Sequence, residues 1–312
     1  MSRAGARVPW VDVPGEVQRA VEEAVGSAVM THDNLVGGFS PGPAGPARLT
    51  DGRSVFIKAC GDELNPVTPW MHRREVQVLE RLPSNVPAAR LLASVDTGSW
   101  VVIVTELLPG RTPVVPLTLA SIDAVLELVV GLARAEDDAG FDWLDPVGHH
   151  ELERSTRWAW RKIADEGFGD RLDGWARLNL ERLIDLEHDW IEAAHGTALL
   201  HRDLRTDNIV ITPDGAFAVD WPTASRGAEW IDLVGLLPSL HLDGGPDPVE
   251  VFGAHPLGRN ADPDAVNTYL AALAGYFVRQ SLLPPPPGIN GVRVFQRRQG
   301  EIACNWLQQR LT

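Results

Sequence analysis

The sequence predicts an α+β fold in two lobes: a smaller one built on an antiparallel sheet with one main helix, and a larger, mostly helical one. Three observations carry this. Up to Glu106 strand-like runs alternate with turns; from Leu119 onward helical spacing dominates; between them Leu108-Pro109-Gly110 breaks any regular pattern. The boundary therefore falls after residue 108, giving an N-terminal lobe of residues 1–108 and a C-terminal lobe of residues 109–312. A chain of 312 residues is too long for one small domain and short for three.

The elements follow in order. Residues 14–28 read as a helix, and residues 35–60 as strands separated by turns. One turn spans Gly38 to Gly42. A hairpin turn at Asp51-Gly52 leads into the strand Ser54-Val55-Phe56-Ile57-Lys58-Ala59. Residues 70–82 carry Val76, Leu79 and Leu82 at helical spacing and stop before Pro83. Strands are expected at residues 89–95 and Trp100–Glu106, separated by Asp96-Thr97-Gly98. Near the C-terminus, prolines 284–287 and Gly288 make a stiff connector before an amphipathic helix over Val292–Leu311.

Composition removes several function classes. With 42 acidic and 28 basic residues the formal net charge is −14, the opposite of what a nucleic-acid binder shows. No apolar run reaches membrane-spanning length, and the N-terminal residues lack the apolar core of a signal peptide. Two cysteines, Cys60 and Cys304, supply neither a disulfide framework nor a four-ligand zinc site and fit reduced thiols in a cytoplasmic protein. Only Lys58 and Lys162 of the 28 basic residues are lysines, so each raises the question of whether a compact ammonium is required there. Residues 113–195 hold 18 acids and 8 bases, which suits either solvated helix faces or an acidic wall that attracts a cation.

The segment with chemistry runs His201-Arg202-Asp203-Leu204-Arg205-Thr206-Asp207-Asn208, then Ile209-Val210-Ile211, the turn Asp214-Gly215, and Ala218-Val219-Asp220-Trp221. Two apolar runs around an Asp-Gly turn form a hairpin, which would bring Asp203, Asn208 and Asp220 to one sheet edge. A carboxylate and an amide oxygen suit Mg²⁺, which keeps further positions for water and phosphate oxygens. A second carboxylate, not consumed by the metal, can accept a hydroxyl proton. Phosphoryl transfer needs this equipment, because its catalysis consists mainly of positioning and charge neutralisation.

These motifs resemble those of the protein-kinase-like fold, and in detail the aminoglycoside phosphotransferase and choline kinase-like family of small-molecule kinases. The likeness covers nearly the whole chain. Gly37, Gly38, Phe39 and Ser40 resemble the family's nucleotide-covering loop, Val55-Phe56-Ile57-Lys58 its third strand, Glu75 its helix glutamate, and residues 105–110 its hinge. The resemblance implies that Asp203 is the base and that Asn208 and Asp220 hold Mg²⁺. It implies further that Lys58, steadied by Glu75, contacts the α- and β-phosphates, and that backbone near Glu106 and Leu108 takes the adenine edge. Arg205 falls where a γ-phosphate cation sits. ATP is the implied donor, although nothing in the sequence chooses between ATP and GTP.

The implied activity is phosphorylation of a hydroxyl on a small polar acceptor, with aminoglycoside-like antibiotics fitting the acidic regions, including Asp243, Asp247, Asp262 and Asp264. A sugar, nucleoside or amino-alcohol kinase stays open, as does a catalytically silent nucleotide-binding regulator or transfer of AMP. Only eleven residues separate Asp220 from Asp232 and no Ala-Pro-Glu follows, which leaves little platform for a peptide substrate. Plainer readings stand beside several of these residues. Lys58 could be an exposed strand residue, and Glu75 could pair with Arg73, Arg74 or Arg81. His201 is expected to bond the loop backbone and Asp232 to cap a helix or brace the loop. Arg202 stands where aminoglycoside kinases commonly have Gly, with no evident contact. His149 and His150 beside Glu151 are expected to be exposed rather than a metal site. Most of the eleven tryptophans are expected in the core.

Overall fold

The computed structural model describes residues 7–36, 38, 40–136, 140–149, 158–286 and 291–312. It separates into two compact units that interleave along the chain. The first takes Met1–Arg111, Val210–Thr223 and Pro285–Val292; the second takes Thr112–Ile209, Ala224–Pro284 and Arg293–Thr312.

The first unit is built on five antiparallel strands in the order β1-β2-β3-β5-β4: β1 Val29–His32, β2 Ala44–Leu49, β3 Ser54–Gly61, β4 Leu91–Asp96 and β5 Trp100–Glu106. The two-residue period of a strand sorts its side chains. Val55, Ile57 and Ala59 of β3 join Trp100, Val102 and Val104 of β5 in a core with Trp10, Val17 and Val21. Phe56, Lys58 and Cys60 therefore face the other way, toward the side packed by helix α2, Thr68–Leu79. That pleat is what aims Lys58 at a helix.

Helix boundaries differ from the sequence expectation for local reasons. Helix α1, Gly15–Val25, stops three residues short of the expected end because Gly26 adopts φ +73 and its N–H caps the carbonyls of Glu22 and Glu23. Helix α2 starts before residue 70. Asn65 accepts from the N–H groups of Val67 and Thr68, and Pro69 fits the first turn. Strand β1 lies in a segment with no strand expectation.

The hairpin of β7 (Ile209–Thr212) and β8 (Gly215–Ala218) follows strand β6, Ala198–Leu200. It joins the first unit through backbone bonds: Arg111 and Ile211 exchange N–H···O bonds at 3.1 and 2.9 Å, and Ala218 N–H donates to Pro87 at 2.9 Å. Gly110 is required there, since a Cβ on it would lie 2.2 Å from the Ile211 carbonyl oxygen.

In the second unit, β6 pairs antiparallel with β9, Ser225–Gly227. Helices Leu119–Ala133, Ile231–Leu242 and Pro263–Leu282 form its body. Trp160, fully buried, donates its indole N–H to Ala271 O at 2.8 Å. Trp190 and Trp306 are likewise buried, as is Trp221 of the first unit, as expected for core tryptophans. Among the described residues no helix is long and apolar enough to cross a membrane.

Glu187 is a fully buried carboxylate that accepts from Arg161 N–H at 2.9 Å at the start of the Ala159–Asp165 helix. Burial pushes its pKa up to about 7, against the pull of the Arg161, Trp160 and Ala159 N–H groups. A carboxyl raised in the folded state holds its proton preferentially there, so its favourable contribution is complete below the unfolded value of 4.5 and is lost as pH rises through 7. We expect folded stability to decline between about pH 5 and pH 8. In Glu187→Gln, which cannot ionise, the decline is shallower; thermal melts whose slopes match the parent's would contradict this.

Candidate active site

In the first unit Lys58 sits between two carboxylates. Its ammonium is paired with Glu75 of α2 and donates to Asp220 Oδ1 at 2.8 Å. Lys58 and Glu75 side chains are 15 % and 4 % exposed, whereas Asp220 is 43 % exposed. This excludes the exposed-strand reading of Lys58, because its ammonium is enclosed on two sides. Arg73 turns instead to Asp96, at 2.7 Å. Burial disfavours the Lys58 ammonium, but Asp220 and Glu75 outweigh it and hold its pKa above the ordinary value. Burial pushes the Glu75 carboxyl up to about 7, opposed by Lys58. Asp220 has φ +72, a left-handed conformation that Asp tolerates better than most residues.

Of the expected nucleotide loop, Gly37 and Phe39 lie outside the described residues. Gly38 has φ +76, and the carbonyls of Ser40 and Gly42 each accept from the Arg7 guanidinium at 3.0 Å. No motif in the sequence marks Arg7; only the folded N-terminal segment brings it to the loop.

At the expected hinge, Glu106 is locked to β4: its N–H donates to Arg90 O and its Oε1 accepts from Arg90 N–H, both at 2.9 Å. The Leu108 carbonyl takes Gly110 N–H at 2.8 Å, and among the described residues the Leu108 N–H makes no backbone bond. A separate cavity of about 430 Å³ touches Glu106 and Leu108 from the side of Ser84, Arg90, Thr212 and Phe217, but includes none of Lys58, Glu75 or Asp220.

The second unit holds the loop that follows β6, residues 201–208. Asp232, buried, accepts from the N–H groups of His201 at 2.7 Å and Arg202 at 2.8 Å, so it braces the loop rather than capping a helix. Burial raises its pKa, opposed by His201 and those two N–H groups. His201 is fully buried and its Nδ1 accepts from Asp203 N–H at 3.3 Å, the structural role expected of it. Arg202 has φ +70, which explains why Gly suits this place. Its guanidinium reaches Ser225 Oγ at 3.5 Å and lies 6.0 Å from the Tyr269 ring centroid.

Asp203 itself is held from two sides. Arg205 NH1 donates to both its oxygens, at 2.5 and 2.7 Å, and Asn208 Nδ2 donates to its carbonyl at 2.9 Å and to Oδ2 at 3.1 Å. Arg205 also reaches Asp207 at 3.0 Å and lies over Phe295. The Thr206 hydroxyl donates a hydrogen bond to Asp243, which fixes the base of the loop. Asn208 thus directs its amide N–H groups at Asp203.

An amide oxygen and a carboxylate are each hard donors of the kind Mg²⁺ takes when phosphate oxygens complete its shell. Among the described residues no cluster of three or more His, Cys, Asp or Glu forms a metal cage, which a phosphate-bound Mg²⁺ does not need. His149 is exposed and lies 3.9 Å from Asp145; His150 and Glu151 lie outside the described residues. The acids near the C-terminus have local work: Asp247 and Asp262 cap helices and Asp243 holds Thr206.

A family model described as "Phosphotransferase enzyme family" matches residues 58–272. No curated protein sequence matches the chain significantly. Among solved structures the chain is similar to the aminoglycoside phosphotransferase APH(4)-Ia, crystallised with ADP and hygromycin B, at 15% identity, TM-score 0.60, and coverage of 93% of this chain and 98% of that one. It is similar also to a putative fructosamine-3-kinase from Haemophilus somnus, at 12% identity and TM-score 0.56, covering 95% and 97%. The amicoumacin kinase hAmiN, in complex with AMP-PNP, Ca²⁺ and Ami, follows at 13% identity and TM-score 0.55, covering 95% of each chain. At such identities these three likenesses show a shared fold. The family match spans more than two thirds of the chain, and with it the chain belongs to the phosphotransferase enzyme family.

Proposed function

We propose that the protein transfers the γ-phosphoryl group of ATP to a hydroxyl of a small polar acceptor. The observation that carries the reading is Asp203, a carboxylate 37 % exposed on a loop braced by Asp232 and held by Arg205 and Asn208. In this reading residues 1–108 serve the nucleotide and residues 109–312 serve the acceptor. Asp203 orients the acceptor hydroxyl and takes its proton. Lys58, fixed by Glu75, binds the α- and β-phosphates. The Glu106–Leu108 backbone receives the adenine edge, and residues 37–40 cover the phosphates. Asn208 and Asp220 would hold Mg²⁺, which when bound neutralises charge on the phosphate oxygens. Arg205, resting on Asp203 in this structure, supplies positive charge as the transferred group develops its own.

The acceptor is proposed to be cationic, of the aminoglycoside or antibiotic-like class, on the −10 balance of residues 113–195. A resistance role would follow from that substrate. The protein is placed in the cytoplasm, where its buried free thiols Cys60 and Cys304 stay reduced. A screen of hydroxylated antibiotics, amino-alcohols, sugars and nucleosides with ATP and Mg²⁺ tests the reading; phosphorylation only of neutral acceptors would remove the cationic part.

Lys58→Arg tests the nucleotide side. The charge survives, but a planar fork replaces a compact ammonium enclosed by Glu75 and Asp220. We expect kcat/KM for ATP to fall about a hundredfold, since misplaced phosphates lose rate steeply. A normally melting Lys58→Arg enzyme with parental kinetics would remove Lys58 from the site.

A further inference from the structure

We propose that Arg7, on the N-terminal segment, is a further nucleotide-binding residue. It ties the 38–42 loop in place and presents a second positive charge to the phosphates beside Lys58. This rests on the ATP reading above and extends it to a residue outside the stretch 58–272 matched by the family.

The geometry is a stitched junction. Arg7 NH1 donates to Ser40 O and Gly42 O, each at 3.0 Å. Next to it, Val8 N–H donates to Pro41 O at 3.0 Å, and Asn34 Nδ2 donates to Val8 O at 2.9 Å while its Oδ1 accepts from Ala44 N–H at 3.0 Å. The segment is thus bonded to the loop and to the chain on either side of it. The guanidinium also lies against the loop tip: a Cβ on Gly38 would stand 2.5 Å from Arg7 NH2, on a residue already at φ +76.

Strand pairing brings this loop beside Lys58: Ala44, which begins β2 two residues after Gly42, is the register partner of Lys58, and a Cβ on Gly42 would lie 1.8 Å from the Ala59 carbonyl oxygen. Burial disfavours the Arg7 cation, and the Asp220 carboxylate, the group that accepts from Lys58, is its largest compensating partner. The buried imidazole of His72 is pushed down to about 3 by burial, then by Lys58, and also by Arg7. Lys58 alone is poorly matched to a polyanion, because Glu75 and Asp220 already oppose its single charge. A guanidinium carries a permanent positive charge on a planar fork of N–H donors suited to phosphate oxygens.

The test is calorimetry of ATP and adenosine binding to the parent, Arg7→Ala and Arg7→Lys proteins, with thermal melts alongside. For Arg7→Ala we expect ATP affinity to fall roughly ten- to a hundredfold, as loss of charged hydrogen bonds predicts, with adenosine affinity unchanged. Arg7→Lys keeps the charge but cannot serve both carbonyls as a fork does, and should fall between. ATP binding by Arg7→Ala as tight as the parent's overturns the inference while the ATP reading stands. Equal losses for ATP and adenosine would mark Arg7 as a structural brace and overturn it too. A parent that binds no ATP removes both. If Arg7→Ala does not fold, Arg7→Lys decides, with parental ATP affinity counting against the proposal.

Discussion

Asp203→Ala is expected to lower the rate of phosphoryl transfer by about 10²- to 10⁴-fold, the range for removing a general base, with ATP affinity little changed. The separation follows from the groups that contact Asp203. Arg205 and Asn208 donate to its carboxylate, whereas the lysine proposed for the phosphates is held by Glu75 and Asp220. Removing the carboxylate leaves the Asn208 bond to the Asp203 carbonyl and the Asp232 brace on the loop, so the fold should persist. Kinetics at saturating ATP, with a thermal melt of the same preparation, provide the check. Parental turnover would show that the hydroxyl proton goes elsewhere.

The second large effect belongs to Asp220→Asn. Asn shares the tolerance of Asp for the left-handed backbone at φ +72, so the substitution removes charge without straining the turn. An alanine there would confound the two. The amide still offers an oxygen to the Lys58 ammonium but no longer a full charge to it or to a divalent ion. We expect kcat/KM to fall at least about a hundredfold, the loss of a few kcal/mol of charge stabilisation. Affinity for Mg·ATP should weaken more than affinity for metal-free ATP. Equal losses for both forms would leave Asp220 as a partner of Lys58 alone.

Particular residues show where sequence logic reached and where it stopped. Lys58 was legible because the chain writes arginine almost everywhere, and a period-two strand aims it at one face. Glu75 was ambiguous among three neighbouring arginines until α2 packed against that face; i,i+4 spacing cannot rank a partner on another element. Asp232 was readable as cap or brace, and backbone N–H groups of His201 and Arg202 decided it. Strand β1 and the true start of α2 were missed because they depend on tertiary pairing with β2 and on an Asn65 side chain. The hairpin 210–223 was legible as a hairpin, but its attachment to the first unit rests on long-range backbone bonds to Arg111 and Pro87. Arg7 had no signal at all, since a lone arginine beside a terminus is ordinary until the chain folds it under a loop.

Transfer of the terminal phosphoryl group to a hydroxyl is open to one direct measurement. The parent protein is incubated with Mg²⁺, an acceptor panel rich in cationic antibiotics, and ATP labelled on the γ-phosphate or, separately, on the α-phosphate. Products are then resolved by mass. The expected product is an acceptor that gains one phosphate carrying the γ-label and none of the α-label, with ADP released in equal amount. Acceptor carrying the α-label would mean transfer of AMP, and tight ATP binding with no labelled product across the panel would mean a silent nucleotide-binding protein; either contradicts γ-phosphoryl transfer.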